Sequence, residues 1–224
     1  MRKTNNIEII ELLQGKTPKQ SKDTYTKTAS NIHEFYLSGE LESPDNYIDW
    51  FDTIRHAGES DAVKLYINSP GGDLFTAIQF MRVLAETNAT TIASVEGACM
   101  SAATMIFLCC EQFEVTPHSM FMFHNYSGGT IGKGGEMIDQ LQHERTWSAK
   151  LLREVYQHFL TEDEITAMLD NKDLWMDGEQ VIERLNTRNQ KIMEMVQAAQ
   201  KEHEKVNTEV LPKKPVAKKQ QAKK

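Results

Sequence analysis

Ser101 and His124 are a candidate nucleophile and its base. A hydroxyl is a poor nucleophile until an imidazole takes its proton, and a third group must hold that imidazole in the right tautomer. Ser101 follows the small-residue stretch Gly97-Ala98-Cys99-Met100. It opens Ala102-Ala103-Thr104-Met105-Ile106-Phe107-Leu108, which reads as a buried helix of small and apolar residues. Free amides in the first turn of such a helix favour the oxyanion that acyl transfer generates. The plain alternative is a serine that only caps the helix. His124 ends the apolar strand Phe121-Met122-Phe123, ahead of Asn125-Tyr126-Ser127-Gly128-Gly129, where loops on a rigid scaffold carry function. His118, in the polar turn Thr116-Pro117-His118-Ser119, is the rival base and should face water. Asp173, between two helices and beside Trp175, fits an orienting acid; a solvated loop aspartate is the bland alternative.

Two strand-turn-helix units must position these residues. The strand 63–67 leads into Asn68-Ser69-Pro70-Gly71-Gly72, and a helix follows in which Leu74, Ala77, Ile78, Met81, Leu84 and Ala85 recur at helical spacing. The second strand spans 90–95, with a tight turn expected at Gly97-Ala98 and the helix opening at Ser101. Two helix N-termini then meet at one end of a sheet, the usual site in open α/β folds. The amides of Gly71 and Ala102 could share one oxyanion there. A phosphate cradle would need the G-x-x-x-x-G-K-[ST] pattern, which this turn lacks.

Tyr66-Ile67-Asn68-Ser69-Pro70-Gly71-Gly72, the G-x-x-x-S spacing of Gly97 to Ser101, and a histidine followed shortly by Gly128-Gly129 resemble the ClpP family of self-compartmentalising serine proteases, over roughly residues 33–187. The resemblance implies an α/β fold of ClpP/crotonase-like repeated ββα turns with a protruding handle helix, here about Glu136 to Phe159, through which rings stack. His124 lies 23 residues beyond Ser101 and Asp173 lies 49 beyond His124, in keeping with the family's separations. By that likeness Ser101, His124 and Asp173 are catalytic, Gly71 and Ala102 form the oxyanion hole, and Gly72, Gly128 and Gly129 bind substrate. The glycine-rich segment 127–135 would form an extended strand that pairs with peptide. The implied activity is a serine endopeptidase cutting polypeptides inside a homo-oligomeric ring, or two stacked rings, with no cofactor in the peptidase itself. An ATP-driven unfoldase would feed it; relatives encoded by tailed bacteriophages instead process capsid proteins, which would place the chain in host cytoplasm. The chain departs from the family at Cys99-Met100, at Ala102-Ala103 in place of Met-Gly, and at Asn125-Tyr126 in place of Gln-Pro. These changes bear on the substrate groove more than on the chemistry. Two rivals stand beside this reading: an acyl-CoA hydratase or isomerase of the same fold, whose chemistry usually relies on glutamates, and an inactive ring-forming scaffold.

At 224 residues and 40% hydrophobic content, the chain fits one large domain with appendages. The expected division is a flexible N-terminal segment (1–30), a peptidase domain (31–187), and a helical extension with a Lys-rich disordered tail (188–224). The N-terminal segment, with its apolar patch from Ile7 to Leu13, is either an axial gate of the kind the resemblance implies or an ordinary flexible terminus. The formal net charge of −7 is uneven: residues 201–224 hold eight lysines against three glutamates, so the body carries about −12. That argues against nucleic-acid binding by the body. No run of 18 apolar residues and no signal-peptide core is present, which points to a soluble, cytoplasmic protein. The three cysteines read as buried thiols, and no C-x-x-C or H-E-x-x-H spacing suggests a metal.

Overall fold

The computed structural model describes residues 31–210, with side chains through residue 198. The N-terminal segment and the Lys-rich tail lie outside the described residues. Of the described residues, 31–185 form one compact unit and 186–210 belong to a second. The site belongs to the first.

Alternation builds the sheet. In β2 (Ala62–Ser69), Val63, Leu65, Ile67 and Ser69 are buried while Lys64, Tyr66 and Asn68 between them are not, the period-two pattern of a strand with one face on the core. β2 runs parallel to β1 (Ile32–Ser38) on one side and to β3 (Thr90–Met100) on the other. β3 then serves two partners: its first half pairs with β4 (Gln112–Glu114), and its last residues, Ala98 to Met100, pair with β5 (Met120–Phe123). The sixth strand, β6 (Leu174–Asp177), is antiparallel to β5 and completes the order β1-β2-β3-β5-β6, with β4 beside β3.

Helices cover the apolar face. A 3-10 turn at Pro44–Tyr47 leads into α1 (Ile48–His56). α2 (Leu74–Glu86) is capped by Asp73, whose carboxylate accepts the Thr76 amide at 2.7 Å, and it buries Ala77, Phe80, Val83 and Leu84. Phe51 of α1 and Phe80 meet edge to face at 4.8 Å between ring centres. Burying each such ring contributes about 1.5–3 kcal/mol. Every residue of α3 (Ala102–Leu108) is buried, as its composition requires. α4 (Gly134–Tyr156) buries Ser148, Leu152 and Tyr156, all in its second half. α5 (Glu162–Leu169) opens with the Thr161/Glu164 capping box, and α6 (Gly178–Val210) follows β6. Gln180 donates its amide to Asp177 and its side chain accepts the Asp177 amide, a second capping box.

The sequence places a turn at Gly97-Ala98, but β3 continues through both residues to Met100. Asn68 Oδ1 accepts the Ala98 amide at 3.1 Å, and pairing of Cys99 with Ser69 and with Phe121 keeps the strand extended. The chain reverses at Ser101 itself. The segment 124–133 carries no regular structure, so the extended strand implied for the glycine-rich stretch is not formed here.

Candidate active site

Ser101 has φ 53° and ψ −130°, a left-handed conformation uncommon for a residue with a side chain. Such strain persists only where the surroundings impose it, and it clusters at functional sites. The Ser101 amide donates to the Met122 carbonyl at 2.8 Å, and its own carbonyl accepts from the Thr104 amide at 2.9 Å and the Thr104 hydroxyl at 2.7 Å. With the Thr104 proton so used, the buried Tyr156 hydroxyl donates to Thr104 Oγ1 at 2.7 Å, tying the turn to α4. Burial pushes the Tyr156 phenol upward, so it stays protonated and fit to donate.

The side chain thus leaves the strand end and meets His124, whose Nε2 lies 2.6 Å from Ser101 Oγ. His124 follows the last residue of β5, and β5 is held against the last residues of β3, so the sheet register sets this distance. Of the two histidines, His124 is the one in contact with Ser101. The rival, His118, is exposed in its turn.

The turn Ser69-Pro70-Gly71-Gly72 lies directly against the serine. Gly71 has φ +96°, and a Cβ added there would sit 2.5 Å from Ser101 Cβ and 3.0 Å from the Ala102 amide nitrogen, so only glycine fits. The Gly71 amide itself donates to Ser69 Oγ at 3.1 Å. Gly72 lines the open space in front of Ser101, and the bonds to Leu41 at that point are made by its neighbours, Gly71 through its carbonyl and Asp73 through its amide.

Asp173 is exposed and, among the described residues, its side chain makes no hydrogen bond or ion pair. Its backbone position is nonetheless informative. β5 and β6 pair in register Met120 with Asp177 through Phe123 with Leu174, and one further step puts His124 opposite Asp173. Asp177 is committed to its helix cap and Asp170 is the C-cap residue of α5.

A cavity of about 570 Å³ opens beside the pair, lined by Ser101, Ala102, His124, Gly128 and Gly129. Its apolar wall is Met105, Leu152 and Tyr156, and Phe75 stacks on Trp147 at its side, ring centres 5.9 Å apart. Leu152 and Tyr156 lie four residues apart on one face of α4, and no local signal says that this face ends at the site. Phe75 and Trp147 come from helices far apart in the chain, and only the fold pairs them. Cys99, two residues before the serine, is fully buried, and burial pushes its thiol upward, so it carries no thiolate.

Residues 45–184, more than half of the chain, match the Clp protease family. The chain belongs to that family. Among curated proteins it is similar to the ATP-dependent Clp protease proteolytic subunit of Bacteroides thetaiotaomicron, 23% identical over 151 residues that cover 66% of this chain and 66% of that protein. It is also similar to ATP-dependent Clp protease proteolytic subunit 1 of Salinibacter ruber, 26% identical over 134 residues covering 58% and 57%. The matched stretches thus span a little under two thirds of these relatives' own lengths. No helix among the described residues is long and apolar enough to cross a membrane.

Proposed function

We propose that the chain is a serine endopeptidase with Ser101, His124 and Asp173 as its triad. The observation that carries this is the 2.6 Å contact between His124 Nε2 and the hydroxyl of a serine held at positive φ, facing an open cavity. With Nδ1 protonated, Nε2 takes the Ser101 proton as Oγ attacks the scissile carbonyl. The Nδ1 proton then faces away from the serine, and Asp173 is the group we assign to accept it. The developing oxyanion is held by backbone amides. Ala102 supplies one, because the first residue of a helix has no intrahelical acceptor for its N–H. Gly71 was the expected second donor; since its amide is engaged by Ser69, we assign that role to Gly72 and give Gly71 the task of letting the turn approach the serine. His124 returns the proton to the leaving amine, and water activated by the same imidazole releases the acyl group. Peptide backbone would lie along Gly72, Gly128 and Gly129.

In keeping with relatives named as subunits of an ATP-dependent protease, the assembled form is a homo-oligomeric ring, single or stacked, that works on unfolded polypeptide supplied by an ATP-driven unfoldase, or on capsid proteins if the chain is phage-encoded. Cytoplasm is the matching location.

The deciding experiment combines a fluorophosphonate probe with peptide hydrolysis. Labelling at Ser101, lost in His124→Ala, together with a fall of several orders of magnitude in hydrolysis for Ser101→Ala, supports the hydrolase. An assembled ring that neither labels nor hydrolyses overturns it in favour of a scaffold.

A further inference from the structure

We propose that Asn125 is a positioning residue: it clamps the turn that carries Asp173 to the strand end that carries His124. The inference rests on Asp173 as the orienting acid. Asn125 follows His124 directly, and its Oδ1 accepts the Tyr126 amide at 2.9 Å. That leaves both Nδ2 protons for the opposite segment, and they go to the Leu169 carbonyl at 3.1 Å and to Asn171 Oδ1 at 3.2 Å. Every polar group of the side chain is thereby used.

The acceptors sit where the chain turns from α5 toward β6. Leu169 is the last residue of α5, and Asn171 takes φ 66°, the reversal that asparagine tolerates better than other side chains. The Asn171 and Lys172 amides bond back to Met168 and Ala167, both at 3.0 Å, which fixes the turn internally. The turn is thus rigid in itself but needs an external tie to stand at a set distance from the base. β5 and β6 provide one up to the pair Phe123–Leu174 and none beyond it. His124 and Asp173 are the next step, past the end of the ladder. The two Asn125 bonds cross the gap on the far side of that step. Asp173, with no partner of its own among the described residues, takes its position from the backbone between these ties.

The test is a double-mutant cycle on the full chain, read by peptide hydrolysis. Asn125→Ala is expected to lower kcat by about 10- to 100-fold with KM within about twofold, and to cost nothing further when Asp173 is already Asn. Asn125→Asp keeps the acceptor for Tyr126 but sets a carboxylate against two oxygens, so it should do at least the same damage without changing size. Asn171→Gly, which keeps the left-handed turn and removes one acceptor, should give a smaller loss in the same direction and holds the test open if the position-125 variants do not fold. An equal loss in both backgrounds, or a change confined to KM, overturns the proposal. If Asp173→Asn is itself silent, the acid assignment fails and the proposal with it. If Asp173→Asn is damaging and Asn125→Ala is silent, this proposal alone fails.

Discussion

Ser101 is bonded through both peptide groups that flank its Cα, to Met122 through its amide and to Thr104 through its carbonyl, and this is what holds an uncommon φ in place. The chemistry follows from small atoms near it. Gly71→Ala would push a Cβ to 2.5 Å from Ser101 Cβ at a φ that L residues rarely adopt. We expect hydrolysis and probe labelling to fall together, with at least about 1 kcal/mol of stability lost, read by peptide turnover and thermal unfolding. Asp173→Asn should cut turnover by up to about 10⁴-fold through the wrong imidazole tautomer, with stability nearly unchanged. Asp177→Asn should leave turnover alone, since asparagine caps a helix about as well. If Asp170→Asn is the damaging change instead, the acid lies one turn earlier. Ser101 and His124 stand out in the sequence as a candidate pair because Ser101 opens an apolar helix after a small-residue stretch and His124 ends an apolar strand ahead of a glycine-rich loop. The engagement of the Gly71 amide by Ser69 was not, because a two-residue turn bond leaves no mark on composition, and the acceptors of Asn125 lie 44 and 46 residues further on.

The elements were legible wherever their signals are local. Alternation marks β2, helical spacing marks α2, and the two capping boxes each need only four residues of sequence. The end of β3 was misplaced because Gly97 and Ala98 look like a turn in isolation. Their place in the strand comes from Asn68 and from the flanking strands, which are long-range partners. The tie between α5 and the start of α6 was also out of reach of pattern. Arg184 grips both oxygens of Glu164, at 2.8 and 2.7 Å, across 20 residues. The guanidinium, aided by the Thr161 hydrogen bonds, holds the Glu164 carboxyl down at about 2. A depressed carboxylate stabilises the fold above its unfolded value and loses that contribution as pH falls through the folded one. Stability from this pair should therefore be full at neutral pH and should drain away between about pH 4.5 and pH 2. Because the pair is partly exposed, its worth is on the order of 1–2 kcal/mol. Glu164→Gln keeps the capping box and removes the charge. Its melting temperature should lie below that of the native chain at pH 7 and meet it near pH 2; parallel melting curves across that range would remove the ion pair from the stability of this corner.

At the scale of the molecule, α4 poses the problem that one copy does not solve. Its second half is seated by Leu152 and Tyr156, but its first half buries nothing, and it presents Ile138 at 57% exposure and Leu141 at 45% on one face, three residues apart. Isolated helical turns are marginal in water, so an apolar stripe of this kind is normally covered by another element. Within this chain no element covers it among the described residues. In the ring assembly proposed above, the occupant would be the same stripe or its neighbour on a second copy, since closed symmetric assembly repeats one contact around the ring or between rings. Leu141→Glu should then act on assembly and not on the fold. Withdrawing one buried leucine from an interface removes about 2 kcal/mol per contact, roughly a 30-fold weaker association, and placing a carboxylate there weakens it further. Native mass spectrometry at micromolar concentration should show large oligomers for the native chain and smaller species for Leu141→Glu, while circular dichroism keeps the same helical signal. Hydrolysis should fall with the oligomer, because Gln140 and Trp147, on the same helix, line the cavity beside Ser101. A native chain that is monomeric at that concentration, with the amides of residues 134–146 protected from exchange, would show that the first half of α4 needs no partner.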